Sequence, residues 1–529
     1  MSGLAQKPAL KTQAKGESLL PPGPGASKAA PMGKAEEEKP NATNPIFHPA
    51  RISSVAGQGA SINLLSFSLV RLEMAKWLMV LLSVFVLIAG LAPASSQTLS
   101  SESLEQKRVT PSSETDQQIR KLQDRVKQAP GDYAGYDALG FSFLQKARET
   151  GDVSYYDFAE QTLKQALALA PHDFRAADPL VHMALVYMGE HRFAEALACS
   201  QKAIGTGAGN LAAFAIEGDA YTDVGDYDEA AAAYHTLQTL GREISSPLSL
   251  AYMSDSRVAY LRYLHGDTAD AIRLMKSAIA AALQANLPRE NLAWLYFELG
   301  ERYFQSGDLE QAELSYRSGT TADPNHYRSI AGLAKVRAAQ GQFDESIQLY
   351  QRSISIIPFP MYVAELGDVY KKAGRLQEAQ QQYDLVEYIG HLSKLNQVLA
   401  NRELAMFYAD QGIKLQEALA LVRKELEVRH DIYTYDTLAW VLYRNGRLQE
   451  AAEAIDKALA LHTNDSLLLF HAGMIYHSLA KDSAAEDLFR RALKTNPQFH
   501  VFHAEVARRT LAEIAQSHGP DLRSSNAQR

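Results

Sequence analysis

The sequence predicts an all-α protein, a right-handed α-solenoid of about ten helix-turn-helix units with a C-terminal capping helix. Three observations carry that expectation. Residues 296–324, YFELGERYFQSGDLEQAELSYRSGTTADP, set an aromatic residue and then Leu299, Gly300, Tyr303, Gly307, Ala312, Tyr316 and Pro324 in a fixed order. Parts of that order recur at thirty-four residues, from Ala196 to Ala230 and again from Ala451 to Ala485. A small residue recurs midway along each first helix, at Gly140, Ala184, Gly218, Ala259, Gly300, Ala334, Gly367, Ala405, Ala439 and Gly473, which counts ten units. Stacked units also suit a chain of 529 residues, too long for one globular core.

Residues 1–73 are rich in Pro, Gly, Ala, Ser and Lys, with too little apolar surface to fold, so a disordered tail is expected. In residues 74–94, Met74 and Lys76 precede an apolar run from Trp77 to Ala92, and Ala92, Pro93 and Ala94 give a small-x-small cleavage pattern. Taken from Met74, the segment is a signal peptide of ordinary length, and residues 1–73 are then the product of a start assigned too early. Taken uncleaved it is a membrane anchor, only slightly shorter than a bilayer span needs. The first reading exports the protein to the periplasm or the extracellular space. The second leaves the repeats outside, with Arg71 and Lys76 holding the N-terminus in, and membrane contact only through residues 74–94.

Residues 95–118 read as a flexible linker, and Ile119, Leu122 and Val126 begin a helix that covers the first face of the array. The solenoid then spans 119–497. Its helices cross closely, so their contact points are Gly or Ala. Gly225, Gly307, Gly341, Gly374 and Gly446 fall at the turns, where a left-handed backbone ends the first helix, and Pro171, Pro324, Pro358 and Pro497 stop the second. Seven extra residues at 147–153, seven between Ala230 and Ala271, one at 413–415 and a stretch at 388–397 are expected as longer loops. Residues 498–516 form the cap, with Val501, Ala504, Ala507 or Arg508, Leu511 and Ile514 near one face, and 517–529 a disordered tail.

This order of residues resembles the tetratricopeptide repeat family. Segments 147–152, 154–156, 436–440, 443–447, 471–475 and 496–499 are similar to exported bacterial members without an assigned activity. The resemblance implies a non-catalytic protein-interaction scaffold, with a peptide or partner helix in a concave groove lined by the first helices. The positions facing that groove hold Tyr260, Tyr263, Trp294, Phe297, Phe304, Tyr433, Trp440, Tyr443, Phe470 and Met474, the expected partner-binding residues. The carboxylate clamp of the chaperone-binding subclass is not carried over. Where that subclass has Lys and Asn, this chain has Asp137 and Phe141, or Val181 and Leu185.

Chemistry-bearing motifs are scarce. No Gly-rich phosphate loop, nucleophile elbow, His-Glu-x-x-His or paired cysteines occur in the sequence, so no catalytic residue, metal or cofactor is expected. His471 and His477 share no helical face well, and His500 with His503 reads as a lone pair. A formal charge of −8 argues against nucleic acid as partner. The single cysteine, Cys199, reads as a small core residue. The alternative function is an enzyme, or an accessory subunit of an envelope enzyme, with a site on the longer loops near Thr150 and Ser246.

Overall fold

The computed structural model describes residues 114–170, 173–244, 247–395 and 401–517, all within one compact unit, Lys107–Arg529. The readings for 1–73, 74–94, Pro171, Ser246, Gln397 and the C-terminal tail beyond 517 lie outside the described residues. Among those described there are twenty-two α-helices and no strand. No helix among them is long and apolar enough to cross a membrane.

Helix α1 (Glu114–Gln128) starts inside the expected linker and buries Ile119, Leu122 and Val126. Ten hairpins follow: α2 (Tyr133–Thr150) and α3 (Ser154–Leu169); α4 (Ala177–Gly189) and α5 (Phe193–Gly205); α6 (Leu211–Val224) and α7 (Tyr227–Ile244); α8 (Pro247–Leu264) and α9 (Thr268–Gln284); α10 (Arg289–Gln305) and α11 (Leu309–Ala322). Then come α12 (Tyr327–Ala339) and α13 (Phe343–Ile356); α14 (Pro360–Lys372) and α15 (Leu376–Leu395); α16 (Asn401–Gln411) and α17 (Leu415–Glu425); α18 (Ile432–Arg444) and α19 (Leu448–Ala458); α20 (Ser466–Ser478) and α21 (Asp482–Thr495). The cap is α22 (His503–Ser517). It buries Ala504, Ala507 and Ile514, while Arg508 faces solvent.

Most of the expected longer loops are longer helices. The extra residues at 147–153 extend α2 to Thr150, and those before Ala271 are absorbed by α7 and α8, each of 18 residues. The stretch from 388 goes into α15, of 20 residues. Helical hydrogen bonding satisfies the added backbone, which a loop packed between units could not do. The turn glycines are as expected: Gly225, Gly307, Gly341, Gly374 and Gly446 all have φ between +74° and +96°. Cys199 is half-buried, and burial pushes its thiol up.

The repeat pattern did not indicate that the array closes on itself. The turn of each of several units docks against the loop six units further on. His430 N–H donates to Val224 O at 2.7 Å, Asn464 Nδ2 to Gly266 O at 2.9 Å, and Asn496 Nδ2 to Phe304 O at 2.7 Å. Gly151 packs on Ile357 in the same relation, and Ile432 N–H donates to the Tyr227 hydroxyl at 3.0 Å. This seam explains why some turn glycines are more constrained than others. A Cβ at Gly307 would stand 2.8 Å from Thr495 O, whereas one at Gly341 meets nothing within 4 Å. We expect Gly341→Ala to cost about 1 kcal/mol, the left-handed penalty alone. Gly307→Ala should lose at least twice that in urea denaturation, because the seam must also give way. Equal midpoints for the two variants would show that the seam adds no stability.

Candidate functional site

The inner faces of the first helices, from α6 to α20, surround a cavity of about 740 Å³, closed on one side by residues 498–501. A repeated local device shapes its wall. Gly218, Gly300 and Gly367 each precede a carboxylate and lie against a tyrosine ring from the second helix of the same unit, so that no Cβ could be accommodated. The tyrosine passes through that gap and donates to the carboxylate beyond. Tyr234 reaches Asp219 at 2.9 Å, Tyr316 reaches Glu301 at 2.5 Å and Tyr383 reaches Asp368 at 2.8 Å. Tyr350 does the same to Glu365 of the next unit at 2.9 Å. Inward acids are thus held in place from behind.

Cations answer some of these acids. Arg257 forks onto Asp219 at 2.7 and 2.8 Å, Lys335 meets Glu301 at 3.0 Å, and Arg302 meets Glu298 at 3.0 Å. Burial works to raise the Glu301 carboxyl, but Lys335 and the Tyr316 hydroxyl outweigh it and hold the group below its ordinary range. Arg302 is buried, 4.1 Å from the centre of the Tyr263 ring, and its Nη1 has no hydrogen-bond partner. The lining holds Asp219, Asp223, Glu298, Glu301, Glu365, Asp368, Asp436 and Asp465 against Arg257, Arg302, Lys335 and Arg402, so acids outnumber cations. Asp223 stands out among them. Burial, with Asp219 and Asp431 nearby and Arg429 and Arg402 opposing, pushes its carboxyl up to about 6.

Of the ten aromatic and Met positions expected in the groove, Tyr260, Tyr263, Trp294, Phe297, Phe304 and Tyr433 line the cavity. Trp294 is 42% exposed, Tyr260 and Tyr433 are half-buried, and the other three are buried. Tyr263 is buried and donates to Asp465 at 2.9 Å. Trp440, Tyr443, Phe470 and Met474 are not among the residues that line this cavity. Trp440 is 3% exposed, stacked between Tyr443 and His471, and Phe470 packs on Phe489 and Phe499. Residues at the start of the cap pack over these rings, His503 against Trp440 and Phe470 and Phe499 against Phe470.

The polar lining was not anticipated, although Gly followed by a carboxylate, with Tyr sixteen positions after the Gly, is a readable signal in three units. Nor were the histidines expected to meet. His471 from α20 and His500 and His503 from the cap converge with Asp410 and Asp436, with no face of a single helix in common. Near Thr150 the polar groups are spent locally, Thr150 donating to Lys146 O at 2.8 Å and Asp152 accepting from Ser154.

Residues 297–359 and 437–498 match the tetratricopeptide repeat family model. Among characterised proteins, the chain is 24% identical over 211 residues to tetratricopeptide repeat protein 8 of Caenorhabditis elegans, covering 39% of this chain and 41% of that protein. It is 26% identical over 263 residues to the TPR repeat-containing protein YpiA of Bacillus subtilis, covering 48% and 56%. The chain thus spans about half the length of these curated relatives. The crystal structure of yeast Tom70 superposes with a TM-score of 0.36 at 14% identity, over 79% of this chain and 100% of that one. With the thirty-four-residue register, the ten consecutive hairpins and the glycine turns, the match places this chain in the tetratricopeptide repeat family.

Proposed function

We propose that the solenoid is a non-catalytic protein-binding scaffold that grips a short, extended, basic peptide segment in its closed groove. The observation that carries this reading is the lining, in which eight carboxylates face four cations. A buried excess of acid calls for a cationic ligand, and Arg302 Nη1 lacks an acceptor that a peptide carbonyl supplies. An extended segment, unlike a helix, leaves its backbone carbonyls free to answer Arg302 Nη1. Trp294 and Met361, both exposed at the lining, are suited to hold the flanking residues. The non-catalytic reading is supported by the hydroxyls in the lining, since Ser256 donates to Tyr252 O and Thr222 to Gly218 O. The apolar run and cleavage pattern of residues 74–94 support export or anchorage with the repeats outside. A mature N-terminus at Ser95 is the expected result of peptide mapping on native protein; recovery of residues 1–73 would overturn it.

The pH dependence gives the test. Asp223 is protonated below about 6 and ionised above, so a cationic peptide should bind more tightly as pH rises from 5 to 7. The same shift has the opposite sign for folding, because a carboxyl raised above its unfolded value of 3.8 favours the folded state less as pH climbs from about 4 to 6. Asp223→Asn should therefore stabilise the free protein at pH 7, by on the order of 1–3 kcal/mol, while weakening and flattening the binding of Lys- and Arg-containing pentapeptides. Fluorescence titration against matched acidic peptides reads both arms. Equal binding of acidic and basic peptides, or an unchanged pH profile in Asp223→Asn, would refute the assignment. Arginine amide binding as tightly as the peptides would move the cavity to small cationic ligands.

A further inference from the structure

We propose that Asp410, His471 and His503 form a binding site for a single divalent transition metal, with Asp436 orienting His471 from behind. One ligand atom from each of the three residues lies within 4.8 Å of the others. The residues come from the end of α16, the middle of α20 and the start of α22, so the site ties the cap to the last three units. His471 is fully buried. Its Nδ1 lies 2.9 and 3.1 Å from the two oxygens of Asp436, while its Nε2 has no hydrogen-bond partner. A carboxylate on one imidazole nitrogen fixes the tautomer and leaves the other nitrogen's lone pair free, as behind metal-bound histidines generally. An unpartnered polar atom at such depth otherwise costs about 1–3 kcal/mol.

The other two ligands differ in what surrounds them. His503 Nε2 is 3.9 Å from Asp410 Oδ1, too far for a hydrogen bond, and His503 Nδ1 is buried without a partner. Trp440 Nε1 donates to Asp410 Oδ1 at 2.8 Å and sets that carboxylate. His500 stands outside the trio. Its Nδ1 accepts the backbone N–H groups of Phe502 and His503 at 3.2 and 3.3 Å, and its Nε2 faces Asp368 at 3.7 Å.

Two imidazoles and one carboxylate suit zinc, or another first-row divalent ion, with a position left for water or a partner's side chain. Ligand atoms around tetrahedral zinc stand about 3.3 Å apart, from Zn–N bonds of about 2.0 Å. Occupancy therefore draws the trio inward by roughly an ångström, a movement within reach of side chains near the start of the cap.

The test uses the full chain, stripped by chelator and titrated with Zn²⁺ by calorimetry and with Co²⁺ by visible absorption. We expect one equivalent of each, a Co²⁺ spectrum of tetrahedral or five-coordinate type, and a raised thermal midpoint. His503→Gln and His471→Ala should each abolish the Co²⁺ band. Asp436→Asn should weaken affinity about 10–100-fold, and His477→Ala, on the same helix but outside the cluster, should leave it unchanged. Circular dichroism establishes that each variant is folded. Should His471→Ala unfold, the more accessible His503→Gln decides. Absence of a stoichiometric site in the stripped wild-type protein, or a Co²⁺ spectrum indifferent to His503→Gln, overturns the proposal.

Discussion

Tyr316→Ala is expected to destabilise the central units by about 3–5 kcal/mol, the range for removing a large aromatic from a packed core. The ring is fully buried and fills the space left by Gly300 on its own unit and Gly332 on the next, so neither neighbour carries a side chain that could collapse into the hole. Its hydroxyl also fixes Glu301, which Lys335 holds from the other side. Tyr316→Phe separates the two contributions, since it keeps the packing and removes one hydrogen bond, for about 1 kcal/mol. Gly300→Ala tests the fit from the opposite side, because its Cβ would lie 2.5 Å from the ring, and should cost about 1–3 kcal/mol by overpacking. Urea denaturation of the three variants measures all of this. Alanine and phenylalanine variants of equal stability would mean that Tyr316 acts through its hydroxyl and that the cleft between the glycines is not a packing site.

These central units are also where the sequence was most legible. The positions of Gly300, Gly307, Ala312 and Tyr316 report contacts between adjacent helices, and such contacts repeat with the chain. The unit count, the left-handed turns and the cap followed from them. The insertions were read as loops because extra length and extra helix look alike in a register count; only the continued apolar spacing in α7, α8 and α15 could have distinguished them. The closed groove was harder to foresee. Asn464 and Asn496 make their seam bonds to residues about 200 positions away, and the only trace in the sequence is a polar residue before each new helix, which also suits an ordinary turn. The aromatics expected in the groove lie on first helices, and in the C-terminal units Trp440 and Phe470 are buried.

Closure changes how the array should unfold. A plain solenoid is held by terms between neighbours, so its ends fray independently. Here the turns of the third, fourth and fifth units are bonded to the ninth, the tenth and the cap, which couples the middle to the end. The same coupling gives the cavity a fixed wall, which reduces the ordering cost of binding an extended segment.

Ending the chain after Asn496 should therefore have the largest effect of all, extending beyond the last unit. It removes Phe499, Ala504, Ala507 and Ile514, all buried, and with Val501 and Leu511 half-buried the lost apolar contact is worth on the order of 5 kcal/mol. It also frays the third rung of the seam, because Asn496 Oδ1 is held by the Gln498 N–H while its Nδ2 serves Phe304 O. We expect faster hydrogen exchange in α20 and α21, then in α10 where that rung lands, together with a lower thermal midpoint and association through the uncovered face. The experiment is run in chelator, so that loss of His503 as a ligand does not contribute. Ile514→Asp in the full chain is the companion variant, since it keeps Asn496, Gln498 and His503 while burying a charge beneath the cap. Both should expose α20 and α21, but only the truncation should reach α10. A truncated chain that stays monomeric with an unchanged midpoint would show that the cap is dispensable, and exchange confined to α20 and α21 in both variants would show that the seam transmits nothing.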